Sequence, residues 1–288
     1  MITDSGLKLA LNRIHKTTPD YTPVSLIKLG TNQNSADIGA TNLDLPIPIT
    51  NTVVASCDST TNWAASTDGS LTQNNTIYKK NSSLNLIKSG TNHTGISYYN
   101  QSLASNDFTN KTLYGWIYIK DDTTLNKLES VYIRYGNDYD TNYYSKEYNV
   151  GNLTTGWNVL YMSTNDSTEV GSVNLSACDS LNIYLSTILV SDTFIAGDII
   201  IDEFVLATES NLTKGMDLGY PLIDEDKLEV SYEFTIDLNE ANGFGISGLG
   251  TFNTDANPLM QDIFKFPIIS KNSTDEIIFT IKNRLVRR

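Results

Sequence analysis

The sequence predicts a mostly β protein: a jelly-roll β-sandwich, residues 51–208, inserted into a smaller β domain formed by both termini, residues 1–50 and 209–288, with one short N-terminal helix. Three observations carry this. The chain holds 16 Tyr, 9 Phe and 3 Trp, and its many Thr, Val and Ile residues also suit a pleated, half-buried surface. Between residues 51 and 208, short alternating runs recur between clusters of turn residues, the spacing of a two-sheet sandwich. The last eighty residues or so have too few strands for a sandwich of their own. A strand near the N-terminus is their natural partner, because chain ends often lie together and insertions succeed at loop tips.

Residues 5–16, SGLKLALNRIHK, read as the helix. Ser5 is placed to cap it, Leu7, Ala10, Leu11 and Ile14 form an apolar stripe, and Pro19 stops it. Next come a strand from Val24 to Leu29, a Gly/Asn turn, a polar loop, and an edge strand limited by Pro46 and Pro48. The central strands include SLNLIKSG, TLYGWIYIK, SVYIRYGN, TNYYSKEYNV, GWNVLYMS, DSLNIYLST and GDIIIDEFVLA. Trp63 and Trp157 begin strands and are expected in the core. In the last segment LEVSYEFTIDL, DIFKFPIIS and EIIFTIKNRLV read as strands. ANGFGISGLGTF reads as a glycine-rich strand and turn; GFGISGLG has no helix after it, so it reads as a tight β connection and not a phosphate loop.

Composition excludes several function classes. The formal net charge of −13 argues against nucleic acid, since binding phosphates requires a basic surface, and the only arginine cluster is Arg284, Arg287 and Arg288. No stretch approaches the roughly 20 apolar residues of a membrane helix, and residues 1–18 lack a signal-peptide apolar region. Sequons such as those at Asn74 and Asn81 follow from the richness in Asn, Ser and Thr. Cys57 and Cys178 are expected as free buried thiols, with one inter-strand disulfide the alternative. No enzyme is expected. The only histidines are His15 and His93, too few for a His-based metal centre or triad, and neither cysteine has a base to pair with.

Two resemblances follow from particular stretches. LIKLGTNQNSADIGATNLDLPI (residues 26–47) and NEANGFGISGLGTFNTDANPLMQDIFKFPIISKNSTDEIIFTI resemble structural proteins of tailed-bacteriophage tails, collars and fibre attachments. Asn32 replaces the second glycine of that family's GTG-like turn, and Gly250 departs from its GLF spacing. The resemblance implies a virion component assembled in the host cytoplasm, homo-oligomeric and partnered with other virion proteins. Phe264, Phe266, Pro267 and Ile268 would be anchors, or else the domain's own core. The stretches CDSTTNWAAS, TGWNVLYMS and GDIIIDEFVLA resemble carbohydrate-binding-module jelly rolls. That implies a surface for host polysaccharide, displayed on a virion or, alternatively, acting in polysaccharide attachment without one. The same fold also serves as an inert spacer.

Strand alternation places Tyr114, Trp116 and Tyr118 opposite Leu113, Ile117 and Ile119. It also sets Tyr132 and Arg134, and Asn182 and Tyr184, on the more polar faces of their strands, with Tyr143, Tyr144 and Tyr148 on a further strand. If these strands are neighbours, the rings form a platform for sugar C–H faces, with Arg134 and Asn182 bonding hydroxyls. The other reading is a solvated or inter-subunit sheet face. The jelly-roll resemblance further implies a structural calcium held by Asp58 and Asp202, and the GNDYDTN loop (Asp138, Asp140) is a second oxygen-rich stretch or a solvated acidic turn.

Overall fold

A computed structural model of the chain describes residues 2–31, 43, 47, 51–79, 81–208, 212–241, 244–255, 259–271 and 274–284. It divides into two compact units, Met1–Ile49 with Ser210–Arg288, and Thr50–Glu209. The polar loop and the Pro46/Pro48 strand expected after Gly30, and Arg287 and Arg288, lie outside the described residues. The first elements are helix α1 (Asp4–His15) and strand β1 (Val24–Gly30). The inner unit holds β2 (Asn51–Ala55), β3 (Trp63–Ala65), β4 (Gly69–Asn74), β5 (Ser83–Lys88), β6 (Gly95–Asn100) and β7 (Lys111–Ile119). It continues with β8 (Leu128–Asp138), β9 (Asn142–Asn149), β10 (Gly156–Ser163), β11 (Thr168–Val170), β12 (Ser180–Thr187) and β13 (Ile199–Thr208). The C-terminal segment adds β14 (Thr213–Gly215), β15 (Leu222–Asp224), β16 (Glu229–Ile236), β17 (Gly245–Asn253), β18 (Met260–Ser270) and β19 (Ile277–Arg284).

The inner unit is a sandwich of two six-stranded antiparallel sheets. One runs β10-β7-β13-β5-β4, with β2 also pairing with β13; the other runs β11-β9-β8-β12-β6-β3. The alternation seen in the sequence sorts the side chains. Leu113, Ile117 and Ile119 of the first sheet and Val131, Ile133, Leu181 and Ile183 of the second are fully buried in one shared core. At about 25 cal/mol per Å² of apolar area, such facing rows dominate the stabilisation of a sandwich. Strand β13, IIIDEFVLAT, is buried along nearly its whole length. Its register slips between Asp202 and Val205 around Glu203, whose φ is 45. That bulge lets Asp202 point outward while Phe204, two residues on, enters the core.

The outer unit has a four-stranded sheet, β14-β1-β17-β18, and a three-stranded sheet, β15-β16-β19. Strand β1 is thus flanked on both sides by strands of the C-terminal segment. The glycine-rich run GFGISGLG is a strand, as expected, and not a tight connection. Its residues 245–250 belong to the nine-residue central strand β17, buried throughout, because strands pair on both of its edges. Phe264 and Phe266 are half-buried and Pro267 is exposed on β18, whereas Met260 and Ile263 of that strand join Leu43 and Phe252 in a core cluster. The side chain of Ile268 lies outside the described set.

The helix differs in detail from expectation. Its cap is Thr3, not Ser5: the Gly6 N–H donates to Thr3 Oγ1 at 3.1 Å. Leu7 and Leu11 are 52% and 59% exposed, and Leu9 is the buried aliphatic; the side chain of Ile14 is outside the described set. The reason is a close backbone approach. Thr3 donates through its hydroxyl to the Met260 carbonyl and through its N–H to the Gln261 carbonyl. A Cβ on Gly6 would sit 2.1 Å from that same Gln261 oxygen, so only glycine lets the helix lie against β18.

Candidate functional site

The expected single platform is divided. Strand β7 pairs with β10 and β13, while β8 and β12 pair with each other in the opposite sheet. Both strand sets turn their apolar residues toward one shared core. Tyr114, Trp116 and Tyr118 therefore face outward on one side of the sandwich, and Tyr132, Arg134, Asn182 and Tyr184 on the other.

On the second sheet the register aligns two outward rows. Tyr99, Asn182, Arg134 and Ser145 form one, and Ser97, Tyr184, Tyr132 and Glu147 form the next. Arg134 is enclosed by rings: its guanidinium carbon lies 4.5 Å from the centroid of Tyr184, 5.0 Å from Tyr143 and 5.6 Å from Tyr132. Tyr132 and Tyr184 meet edge to face at 5.6 Å. The Tyr132 hydroxyl donates to Glu147 Oε1 at 2.7 Å, and that bond raises its phenol above the ordinary range. Gly95 makes room for Tyr184, since a Cβ there would lie 1.7 Å from the Tyr184 hydroxyl. Arg134 forms no hydrogen bond or ion pair with a described residue, and its Nε is buried without a partner. A cation held by π faces, with its donor fork unused, is prepared for an acceptor from outside.

Asn182 does not belong to the open part of this face. It is 0% exposed, and the backbone carbonyl of Tyr139, in the β8–β9 turn, reaches it. The Asn182 Nδ2 donates to Ser97 Oγ and to the Tyr139 carbonyl, both at 3.3 Å, while its Oδ1 has no partner. The Tyr139 ring stacks on Tyr99 at 3.8 Å with an interplanar angle of 1°. Strand alternation does not point to Tyr99 or Tyr139. An aromatic ring in the otherwise polar turn GNDYDTN was the available signal. Tyr144 and Tyr148 pack against the core, so of the three tyrosines on that strand only Tyr143 reaches the face. The Asp138 carboxylate is occupied within the turn by the N–H groups of Asp140 and Thr141 at 2.8 and 3.0 Å.

On the first sheet Tyr114 and Trp116 are buried, 7% and 2% exposed, and only Tyr118 is half-open. Lys79 lies over the Trp116 ring at 4.2 Å and the Trp157 ring at 5.2 Å, and burial pulls its ammonium down to about 8. Trp157 is not in the core. It is half-buried on this outer face, edge-on to Tyr118 at 5.5 Å, because its register partner is the outward Tyr118. Trp63 does begin a strand and packs against the core.

Asp202 lies beside this cluster, fully buried. Its Oδ2 accepts from the Lys79 N–H at 2.6 Å and its Oδ1 has no partner. Burial pushes its carboxyl up to about 7; the Lys79 N–H opposes this, and the Glu203 and Asp58 charges add to it. The Asp58 carboxylate receives the Ser82 N–H at 3.1 Å. Among the described residues no three His, Cys, Asp or Glu side chains are placed to share a metal. His93 Nδ1 lies 3.1 Å from Asp68 Oδ2 in a surface turn. Cys57 and Cys178 are free and buried. Burial raises both thiols, Cys178 to about 12, so neither is a thiolate near neutral pH.

No protein-family model and no curated protein matches the chain. Among solved structures, the family 11 carbohydrate-binding module from Clostridium thermocellum, in complex with a β-1,3-1,4-mixed-linked tetrasaccharide, is similar with a TM-score of 0.41 and 10% identity, covering 56% of this chain and 98% of that one. An exo-β-agarase is similar with a TM-score of 0.40 and 13% identity, over 56% of this chain and 25% of its own. A structure of carbohydrate-binding modules from the β-sandwich superfamily is similar with a TM-score of 0.37 and 11% identity, over 65% and 86%.

Proposed function

We propose that the inner unit binds glycans on the outer face of the β8–β12 sheet, with Arg134, Tyr132, Tyr143 and Tyr184 as the contact residues. One observation carries this reading: a guanidinium ringed by three tyrosines whose hydrogen-bond donors meet no described residue. Tyrosine faces take the C–H side of a sugar ring, and the guanidinium donates to its oxygens. The chemistry is binding; Glu147 on this face is held by the Tyr132 hydroxyl, and Asp138 by the turn. A glycan array probed with the wild-type chain, Arg134→Ala and Tyr184→Ala tests it. The wild type should bind at least one glycan class, and each variant should lose ten-fold or more in affinity. A wild-type chain that binds none of the array ends the proposal.

Calcium at Asp58 and Asp202 is part of the same reading. The orphaned, buried Asp202 Oδ1 suits a hard cation, which would neutralise the charge gathered there, with backbone oxygens supplementing the two carboxylates. Added calcium should then raise the melting temperature of the wild type and leave Asp202→Asn unchanged.

A second reading, a structural part of a tailed-phage virion, is favoured by the apolar surface of the outer unit. Leu218, Leu222, Ile223 and Ile278 are 103%, 54%, 69% and 54% exposed, side chains of the kind that assembly contacts cover. Sedimentation of the purified chain and its detection in purified virions test this. A monomer absent from particles removes it.

A further inference from the structure

Resting on the glycan reading, we infer that Tyr139 covers a second sugar subsite, made by Tyr99, Asn182 and Ser97, which continues the open one at Arg134. The row Tyr99, Asn182, Arg134 crosses three adjacent strands, β6, β12 and β8. Strand spacing makes it about 10 Å long, comparable to the reach of a disaccharide. Its Arg134 end is open. Its Tyr99 end is closed by a residue that belongs to neither strand beneath it, the Tyr139 of the β8–β9 turn.

Two independent features mark that closed end as a ligand position. The first is the cover itself: a flat ring lying parallel on Tyr99 at 3.8 Å and 1°, the place and orientation a pyranose takes on a tyrosine face. The second is Asn182. It is fully buried, its Oδ1 accepts nothing, and its Nδ2 bonds, both 3.3 Å, are just longer than the usual range for N–H···O. The Tyr139 side chain gives that oxygen no hydrogen bond, whereas a sugar presents both donating and accepting hydroxyls. Lifting Tyr139 releases the Tyr99 face and the hydrogen bond that its carbonyl takes from the Asn182 amide.

The test uses the full-length wild type, Tyr139→Ala, Tyr99→Ala and the double variant. Each is titrated calorimetrically with disaccharides and hexasaccharides of the β-linked gluco, manno and xylo series and with any glycan the array identifies. Tyr139→Ala should bind both the disaccharide and the hexasaccharide several-fold more tightly than wild type, and the double variant should lose the gain. If wild type binds and Tyr139→Ala binds the hexasaccharide no better, the covered subsite is overturned while the glycan reading stands. If no protein binds any sugar, the glycan reading itself has failed and the subsite falls with it. A measurement on wild type alone covers poor folding of a variant: contacts between the Tyr99 and Tyr139 rings by nuclear Overhauser effect should vanish at hexasaccharide saturation. Their persistence at saturation overturns the inference.

Discussion

Lys88 is the side chain whose environment is most demanding. It is 0% exposed, and its ammonium donates to the carbonyls of Gly90, Val190 and Asp192 at 3.1, 2.8 and 2.6 Å. The turn it fastens displays Ile188, Leu189 and Val190 at 56%, 57% and 48% exposure. Replacing the ammonium with an apolar end leaves those carbonyls without their donor. Lys88→Met should therefore cost roughly 2–4 kcal/mol in urea unfolding. Asp202 supplies a pH-dependent counterpart. Its carboxyl titrates near 7 in the fold and near about 3.9 in the unfolded chain. Between those values the native state holds the extra proton, so stability declines as pH rises and levels off above about 7. In a chelating buffer the wild type should show that decline and Asp202→Asn should not. Alternation in the sequence indicated which face each of these residues occupies. It could not indicate what lies over the face: the cover on Tyr99 comes from a turn, and the cover on Trp116 comes from Lys79, both outside the strand being read.

Helix α1 and strand β7 show what a single element reveals. In β7 the period of two separated Leu113, Ile117 and Ile119 from Tyr114, Trp116 and Tyr118 correctly. The same pattern carries no information about which sheet a strand joins, so the sequence reading merged two faces that point in opposite directions. For the helix, the hydrophobic stripe through Leu7 and Leu11 misled, because the packing face is set by Gly6 and Thr3 against the backbone of β18. Adding a methyl group at Gly6 forces a 2.1 Å approach to Gln261 O to relax by lifting the helix. Gly6→Ala should lower stability by about 1–3 kcal/mol, measured by thermal or urea unfolding, even though alanine is the better helix former. A neutral or stabilising effect would mean that the helix does not rest on β18 in solution.

At the scale of the whole chain, each unit has a core of its own, one around Ile117, Ile133 and Ile183 and another around Phe252, Met260 and Ile263. Calorimetry should accordingly resolve two transitions. Lys88→Met should move one and Gly6→Ala the other, whereas a single transition shifted by both would show that the units unfold together. The change of texture along the sequence made this division visible. Strand shortage implies only that the N-terminal strand joins the C-terminal segment; that its partners are β14 and β17 is not legible, because sequence patterns do not record partners more than two hundred residues apart.

The position of β1 between β14 and β17 also constrains biosynthesis. Its neighbours are made only after the inner unit has been translated. At typical elongation rates the interval is roughly 10–40 s, during which both hydrogen-bonding edges of β1 lack their native strands. The inner sandwich, contiguous in sequence, emerges complete and is free to fold in that interval. The ribosome therefore imposes an order, inner unit first and outer unit last, and leaves β1 as the segment of the nascent chain most in need of protection from wrong partners.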